Sequence, residues 1–253
     1  PGLGMIQIAP AAGGISFGTA PLIDVVAQGG TSSASDTLSM QRGKHAIRMG
    51  AEVRLNLNLY NVGFYTRGLI QFLSFNDFLT GNTYVSLFGN GIGRRTLRSW
   101  DYNFFIQDDW KVTPKLTLNF GLRYELDTPP YDTQGRLATF DPGLYKPRLL
   151  TFNGAPVGPP IAGYVQAGNV AKQFSDPDIP KVSKYVLKSI DPNNLAPRIG
   201  FAYSPRASGQ MVVRGGYGIY YSRTSFQYAT LGGADPPTYV FGLNVLAPFS
   251  NPF

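Results

Sequence analysis

Residues 101–126 read DYNFFIQDDWKVTPKLTLNFGLRYEL, and this stretch decides the fold class. Apolar and polar side chains alternate on both sides of a short break at Thr113, Pro114 and Lys115. A period of two places successive side chains on opposite faces of the backbone, which is typical of a strand and not of a helix. Because the break carries turn-forming residues, the stretch predicts a β-hairpin.

The same alternation recurs along the chain, in residues 36–41, 44–59, 99–111, 116–126, 198–204 and 211–221. Tight turns at residues 42–44, 112–115 and 205–209 join these strands in pairs. Long Gly-, Pro- and Asn-rich stretches separate the pairs, at residues 60–95, 128–196 and from 222 onward. Short periplasmic turns and long extracellular loops are typical of transmembrane β-barrels. The sequence therefore predicts an all-β fold, with about six antiparallel strands that form part of a larger transmembrane barrel.

Composition excludes several classes of function. With one His and no Cys, the chain has no disulfide framework, no thiolate nucleophile and no multi-histidine metal site. Charged residues make up 15%, against roughly 25% in an ordinary soluble domain. The 22 basic and 15 acidic residues are dispersed, which does not indicate a nucleic-acid partner. We expect no cofactor, no metal and no enzymatic activity.

Strand length and aromatic spacing favour a membrane barrel over a soluble sandwich, whose strands alternate as well. A tilted strand needs about nine to eleven residues to cross a membrane, and several strands here reach that length. Trp100 and Trp110 share a face about 33 Å apart along the strand. In a tilted strand this projects to about 25 Å, the height of the apolar band of an outer-membrane barrel. With Tyr60, Tyr124 and Tyr203 they predict aromatic girdles at the two membrane interfaces.

The opposite face of the strands carries polar and charged side chains that we predict to line the barrel lumen. These residues are Arg48, Glu52, Arg54, Asp101, Asn103, Arg123, Glu125, Arg198 and Arg214. Phe105 and Asp108 break the alternation, one on each face. Six strands cannot close, because single-chain barrels begin at about eight. Unpaired edges in lipid are prohibitively costly, and the chain begins at Pro1 without a signal-peptide pattern. We therefore expect a partial barrel domain over residues 1–253, completed by strands of a longer protein.

Several residues have a chemical and a structural interpretation. His45 lies beside the first turn and is predicted at the periplasmic interface, since it lacks partners for a metal site. Asp108 and Asp109 cannot share a substrate, because adjacent strand residues face opposite sides; Asp108 is expected to reach interfacial water. The glycines of residues 89–93 lack phosphate-loop spacing and predict a mobile extracellular loop. Two interpretations, gripping a ligand or covering the barrel mouth, remain open for the loop aromatics Tyr131, Phe140, Tyr145 and Tyr164.

Four strings, RGKHAIRMGAEVR, DYNFFIQDDWKVTPKLTLNFGLRYEL, NNLAPRIGFAYSP and VVRGGYGIYY, resemble the barrel of TonB-dependent outer-membrane receptors. The closest likeness is to the Oar-like, acidobacterial type, and it spans roughly residues 35–222. The resemblance implies a barrel of about 22 strands with a plugged lumen, energised through TonB. Plug and N-terminal domains are not visible in this sequence, so TonB and the plug are expected as partners through the full-length protein.

The leading hypothesis is a segment of an outer-membrane TonB-dependent receptor that takes up a bulky nutrient. One alternative is a structural or adhesive outer-membrane barrel without energised transport. A weaker alternative is a soluble β-sandwich that binds carbohydrate through its loop aromatics. The sequence does not name the ligand, and a siderophore, an oligosaccharide and a peptide all remain open.

Overall fold

The computed structural model describes residues 4–20, 26–61, 63–145, 151–152, 155–156, 163–186, 190–205, 211–223, 226, 229, 237–246 and 248–250. Its strands are β1 (Met5–Ile8), β2 (Ile15–Phe17), β3 (Val26–Arg42), β4 (His45–Asn61), β5 (Leu69–Phe72), β6 (Val85–Gly91), β7 (Arg94–Thr113), β8 (Leu116–Asp127), β9 (Tyr131–Asp132), β10 (Ala138–Phe140), β11 (Thr151–Phe152), β12 (Ala155–Pro156), β13 (Tyr164–Gln166), β14 (Asn194–Tyr203), β15 (Val213–Gly218) and β16 (Tyr239–Val245). One α-helix, α1 (Phe75–Thr80), and three 3-10 helices, Pro10–Ala12, Pro142–Leu144 and Lys172–Phe174, complete the described elements.

Six long strands form one antiparallel sheet in the order β15-β14-β8-β7-β4-β3, which we call the wall sheet. The short strand β9 pairs with β7 beside it. Residues 43–44 and 114–115 form the first two predicted turns, and Gly43 adopts the left-handed conformation (φ 59°) that such a turn favours. Residues 206–210, which include most of the third predicted turn, lie outside the described residues. The prediction of about six antiparallel strands is confirmed.

The lengths of four strands differ from the prediction. β14 has 10 residues and begins four residues before the predicted start. β3 has 17 residues instead of a short strand at residues 36–41. Its sequence is rich in Gly, Ser and Thr, so it lacks the apolar row that reveals a strand. β7 has 20 residues and begins five residues before the predicted start, whereas β15 has only 6.

The wall sheet is open within the described residues. β3 pairs only with β4, and β15 pairs only with β14, so the outer edges of both strands have no neighbour there. The sheet is therefore not curved enough for its two outer strands, β3 and β15, to pair with each other. An open antiparallel sheet with unpaired edges is what part of a larger barrel presents.

The predicted long loop at residues 60–95 contains regular secondary structure. These residues include the helix α1 and the strands β5 and β6. The two strands belong to a second, five-stranded sheet in the order β16-β6-β5-β1-β2. We call it the loop-end sheet, because β4 ends and β7 begins where it lies, opposite the tight turns. β1 runs parallel to β5, and Ile6, Ile8 and Phe72 form its buried core. The glycine-rich residues 89–91 are part of β6 and not of a loop.

The long stretch at residues 128–196 is also folded where it is described. β10 pairs with β13, and β11 pairs with β12. Leu137, Val165, Ala167 and Ile179 of this stretch are buried. From residue 222 onward, the described part includes β16, which pairs with β6 in the loop-end sheet. The loop-end sheet and the described part of residues 128–196 thus each have a small buried core.

Candidate functional site

The two faces of the wall sheet differ in chemistry, and the strand registers align that difference across all six strands. Met49, Ile106 and Leu122 are paired neighbours on β4, β7 and β8. One residue along, Arg48, Gln107 and Gly121 are paired neighbours. Because side chains alternate across a strand, the first row lies on one face and the second row on the other. We call them the apolar face and the polar face.

All nine residues predicted to line the lumen lie on the polar face by register. They are Arg48, Glu52, Arg54, Asp101, Asn103, Arg123, Glu125, Arg198 and Arg214. Phe105 also lies on this face, where its ring covers Gly50: a Cβ atom on that glycine would lie 2.6 Å from Phe105 Cε1. The structure brings these side chains together, and their position in a barrel lumen stays a prediction.

Neighbouring charges on the polar face pair along single strands. Arg54 donates a hydrogen bond to Glu52 over 2.6 Å, and Arg123 donates one to Glu125. Residues two apart on a strand share a face, so each pair follows directly from the sequence. Asn103 extends the first pair across the sheet through a 3.4 Å contact with the other oxygen of Glu52.

Asp101 is the most buried carboxylate on the polar face. Its Oδ2 accepts hydrogen bonds from Asn56 (2.8 Å) and Arg223 (3.2 Å), while its Oδ1 is buried with no hydrogen-bond partner among the described residues. Asn56 also contacts the Ser99 hydroxyl over 3.4 Å. Arg223 follows β15 in the chain, so this contact brings the segment after the last wall strand back to the middle of the sheet.

Asp109 holds a second polar cluster nearer the tight turns. Its Oδ1 accepts hydrogen bonds from Asn119 (2.7 Å) and Gln107 (3.2 Å), and its Oδ2 contacts Arg48 at 3.4 Å. These residues come from three adjacent wall strands. The carboxylate is therefore fully engaged with its neighbours.

The apolar face exposes large hydrophobic side chains. Ile106, Leu122, Ile199 and Tyr217 are 49%, 44%, 54% and 73% exposed. No second sheet or helix within the described ranges covers them. A soluble β-sandwich buries this kind of face against a second sheet, so the structure argues against that alternative.

Four of the five predicted interface aromatics lie on the apolar face by register. Trp110 and Tyr203 are near the tight turns, and Trp100 and Tyr124 are nearer the loop end. Tyr60 is the exception, because it packs against the buried Tyr239 instead. Their depth in a bilayer stays a prediction.

His45 lies beside the first turn, as predicted, and its imidazole stacks on Trp110 with ring centroids 5.4 Å apart. Its Nδ1 is 2.6 Å from Asp108 Oδ2. Asp108 is thus paired on the apolar face, whereas we expected it to reach interfacial water. Its neighbour Asp109 faces the other side, so the two carboxylates do not form a pair.

The loop end contains an ion pair that sequence reasoning missed. Asp132 accepts hydrogen bonds from Arg136 Nε (2.8 Å) and from the backbone N–H groups of Arg136 and Thr96 (2.9 Å each). Burial raises the pKa of the Asp132 carboxyl, but these hydrogen bonds outweigh burial and hold that pKa below its usual range. The pair fixes the 128–186 segment to the first residues of β7.

Arg95 is fully buried beside this ion pair, although it ends the stretch 60–95 that the sequence predicts as a long loop. It donates hydrogen bonds to the Arg136 carbonyl and to Thr238 Oγ1, both over 2.9 Å, and to the Ile92 carbonyl. Arg95 therefore joins three segments that are distant in sequence. No local pattern marks such a residue, because its partners lie more than forty and more than one hundred positions away.

The loop aromatics mostly contact one another. Phe140 meets Tyr145 and Tyr164 edge to face, with centroids 5.8 Å and 5.9 Å apart. Tyr131 packs against Tyr185, and Lys184 lies 4.3 Å above the Tyr131 ring. These contacts favour a covering role, while Phe140 and Tyr145 remain about half exposed.

The described residues provide neither a metal-ligand cluster nor a membrane-spanning helix. They contain no group of three or more His, Cys, Asp or Glu side chains placed to hold a metal ion. None of the described helices has the length and hydropathy needed to cross a membrane.

Comparison with known proteins gives one match. A family model described as an outer membrane beta barrel domain matches residues 2–253. Neither the curated proteins nor the solved structures provide a match. An open antiparallel sheet with an exposed apolar face agrees with the family match and with a location in the outer-membrane bilayer. The chain belongs to the outer membrane beta barrel domain family.

Proposed function

We propose that the chain is a wall segment of a TonB-dependent receptor that takes up a bulky nutrient across the outer membrane. The observation that carries this proposal is the polar face, with ionic side chains that pair along and between strands. Such a face needs water or a polar occupant beside it, because unpaired burial of charge is costly. A wide barrel lumen supplies both.

The openness of the wall sheet supports a wide barrel. Six strands pair side by side, but the first and last of them, β15 and β3, do not pair with each other. Barrels of about 8 strands fill their interior with their own side chains, whereas barrels of about 22 strands enclose a plugged lumen. A wide lumen leaves room for a plug domain and for a bulky solute.

In this proposal the loops capture the ligand, and TonB moves a plug that lies elsewhere in the full-length protein. The chain contributes the barrel wall and the folded loop end, and it performs no covalent chemistry. The loop-end sheet and the ion pair of Asp132 and Arg136 support this division of labour, because they hold the loops in one arrangement.

A structural or adhesive barrel is the second candidate, and exposed apolar side chains at the loop end favour it. Leu79 and Leu243 are 68% and 60% exposed there. Exposed apolar side chains near the bacterial surface suit contact with another protein or surface. The sequence that precedes this segment in the full-length protein separates the two candidates, since transport requires a plug and a TonB-contacting segment.

The test is cross-linking of the full-length protein to TonB in intact cells. Transport predicts a TonB adduct that disappears in a strain lacking TonB. Heat-modifiable migration on gels provides the control that the barrel is folded in the outer membrane. A folded barrel that gives no adduct with TonB present would contradict energised transport and leave the adhesive candidate.

A further inference from the structure

The guanidinium groups on the polar face fall into two classes. Four have a carboxylate partner: Arg48 with Asp109, Arg54 with Glu52, Arg123 with Glu125, and Arg223 with Asp101. Arg198 and Arg214 have no carboxylate partner among the residues that the structure describes. β14 and β15, which carry them, contain no acidic residue. One side of the polar face therefore has an excess of positive charge.

Arg198 lies in a depression of about 540 Å³ that spans four strands of the wall sheet. Its floor is formed largely by glycines, among them Gly121, Gly200 and Gly216. A volume of this size falls within the range of sites that hold small organic ligands. Because glycine has no side chain, these positions leave space beside Arg198.

Arg198 is held in a defined position without a counterion. Its guanidinium carbon lies 4.6 Å from the centroid of the Tyr220 ring. A Cβ atom on Gly218 would lie 3.1 Å from Arg198 Cγ and 3.3 Å from the Tyr220 ring, so this glycine allows the stack. Stacking uses the face of the guanidinium and leaves its N–H edge available for a planar anion.

The polar cluster of Asp109, which shares Gln107 and Asn119 with the depression, does not neutralise Arg198. Asp109 is engaged by Arg48, Asn119 and Gln107. The next cation along the sheet, Arg123, is already paired with Glu125. An anion that enters the depression therefore meets the guanidinium of Arg198, whose charge no described carboxylate balances, and the cleft concentrates the field of that charge.

We propose that this depression is an anion-binding subsite, with Arg198 as its anchor, for a carboxylate or phosphoryl group on the transported solute. This inference deepens the proposed function and rests on it for the identity of the solute as cargo. Binding of the anion is a separate property of the wall sheet and is measured without transport.

The test is calorimetric titration of the full-length protein in detergent micelles with citrate and with inorganic pyrophosphate. We expect saturable binding of at least one probe and none of sucrose, which is uncharged. Stronger binding of citrate assigns the site to carboxylates, and stronger binding of pyrophosphate assigns it to phosphoryl groups. Absence of binding for both probes would overturn the proposal.

Variants locate the site. Arg198→Gln should weaken binding at least tenfold, and Arg198→Lys should retain part of it, because a Lys keeps the charge without the planar fork. Arg98→Gln is the matched control, since Arg98 is an exposed cation on the opposite face of β7. Equal binding by wild type and Arg198→Gln would overturn the proposal.

A second variant tests the site independently, in case Arg198→Gln fails to fold. Tyr220 follows β15 and is 71% exposed, so Tyr220→Ala leaves the strands intact. It should weaken binding several-fold, because Arg198 loses the ring that orients it. Unchanged affinity in this variant would count against the proposed geometry. Anion binding without a TonB adduct would refute the transport proposal alone, and a TonB adduct without anion binding would refute this subsite alone.

Discussion

The two faces of the wall sheet reverse the arrangement found in a soluble protein. On the apolar face, Ile199 and Tyr217 are more than half exposed, whereas on the polar face Asp101 and Asn103 are buried. Water would favour the opposite distribution. We infer from this difference that the acyl chains of the membrane, and not water, lie beside the apolar face. Four predictions test this inference, in order of decreasing expected effect.

Ile106 and Gln107 are adjacent residues of β7 on opposite faces, and they provide the largest expected contrast. Ile106→Arg should destabilise the folded barrel by about 2–4 kcal/mol, the cost of a basic residue on the lipid face near the midplane. Gln107→Lys should change stability much less, because its face is polar. Denaturant unfolding of the full-length protein in vesicles measures both, and equal costs would remove the distinction between the faces.

The ion pair of Asp132 and Arg136 at the loop end is buried, whereas the ion pairs of Arg54 with Glu52 and of Arg123 with Glu125 on the polar face are partly exposed. Because folding lowers the pKa of Asp132, the ionised carboxylate stabilises the folded state, and this stabilisation is fully present above the ordinary carboxyl pKa. The contribution is lost as the pH falls through the lower, folded-state value. Protonation leaves the buried Arg136 unpaired, at a cost of about 1–3 kcal/mol.

Acid should therefore loosen the 128–186 segment before the wall sheet. Amide hydrogen exchange at decreasing pH, corrected for intrinsic rates, measures this order. Asp132→Asn should show the loosened segment already at neutral pH. If the segment and the sheet loosen at the same pH, the ion pair of Asp132 and Arg136 does not hold the segment in place.

Phe105 is the apolar exception on the polar face, and its ring covers Gly50. An aromatic ring over a glycine stabilises the strand pairing beneath it. Phe105→Ala should cost up to about 1 kcal/mol, the scale of a cross-strand pair. Phe105→Leu should retain most of that stability, and a variant series with no difference would show that the contact is incidental.

The pair of Arg54 and Glu52 should give the smallest effect. Both side chains are partly exposed, at 39% and 24%. Removing one partner of such a pair by Glu52→Gln should cost under about 1 kcal/mol. A cost of several kcal/mol in the same unfolding measurement would show that the polar face is dry and would contradict a wet lumen.

The wall strands were predictable because their alternation is local. β4 and β8 match the predicted ranges closely. The i, i+2 pairs on β4 and β8 follow from the same rule, since alternate residues share a face. β3 was too short in the prediction because its Ser, Thr and Gly residues supply no apolar row.

The loop end was not predictable from the pattern of single segments. β1 pairs with β5 across more than sixty residues, and β16 pairs with β6 across about one hundred and fifty. Neither pairing leaves a periodic mark that identifies its partner. The same holds for Arg95, whose burial depends on contacts with Arg136 and Thr238.

Site-directed spin labelling tests the lipid contact of the apolar face most directly. The 253 residues contain no Cys, so Ile106→Cys and Gln107→Cys each create a unique labelling site once any Cys elsewhere in the full-length protein is replaced by Ser. In the full-length protein in vesicles, the label at position 106 should collide with oxygen dissolved in lipid and be shielded from a water-soluble nickel chelate. The label at position 107 should show the reverse. Strong collision of the nickel chelate with the label at position 106 would contradict the account.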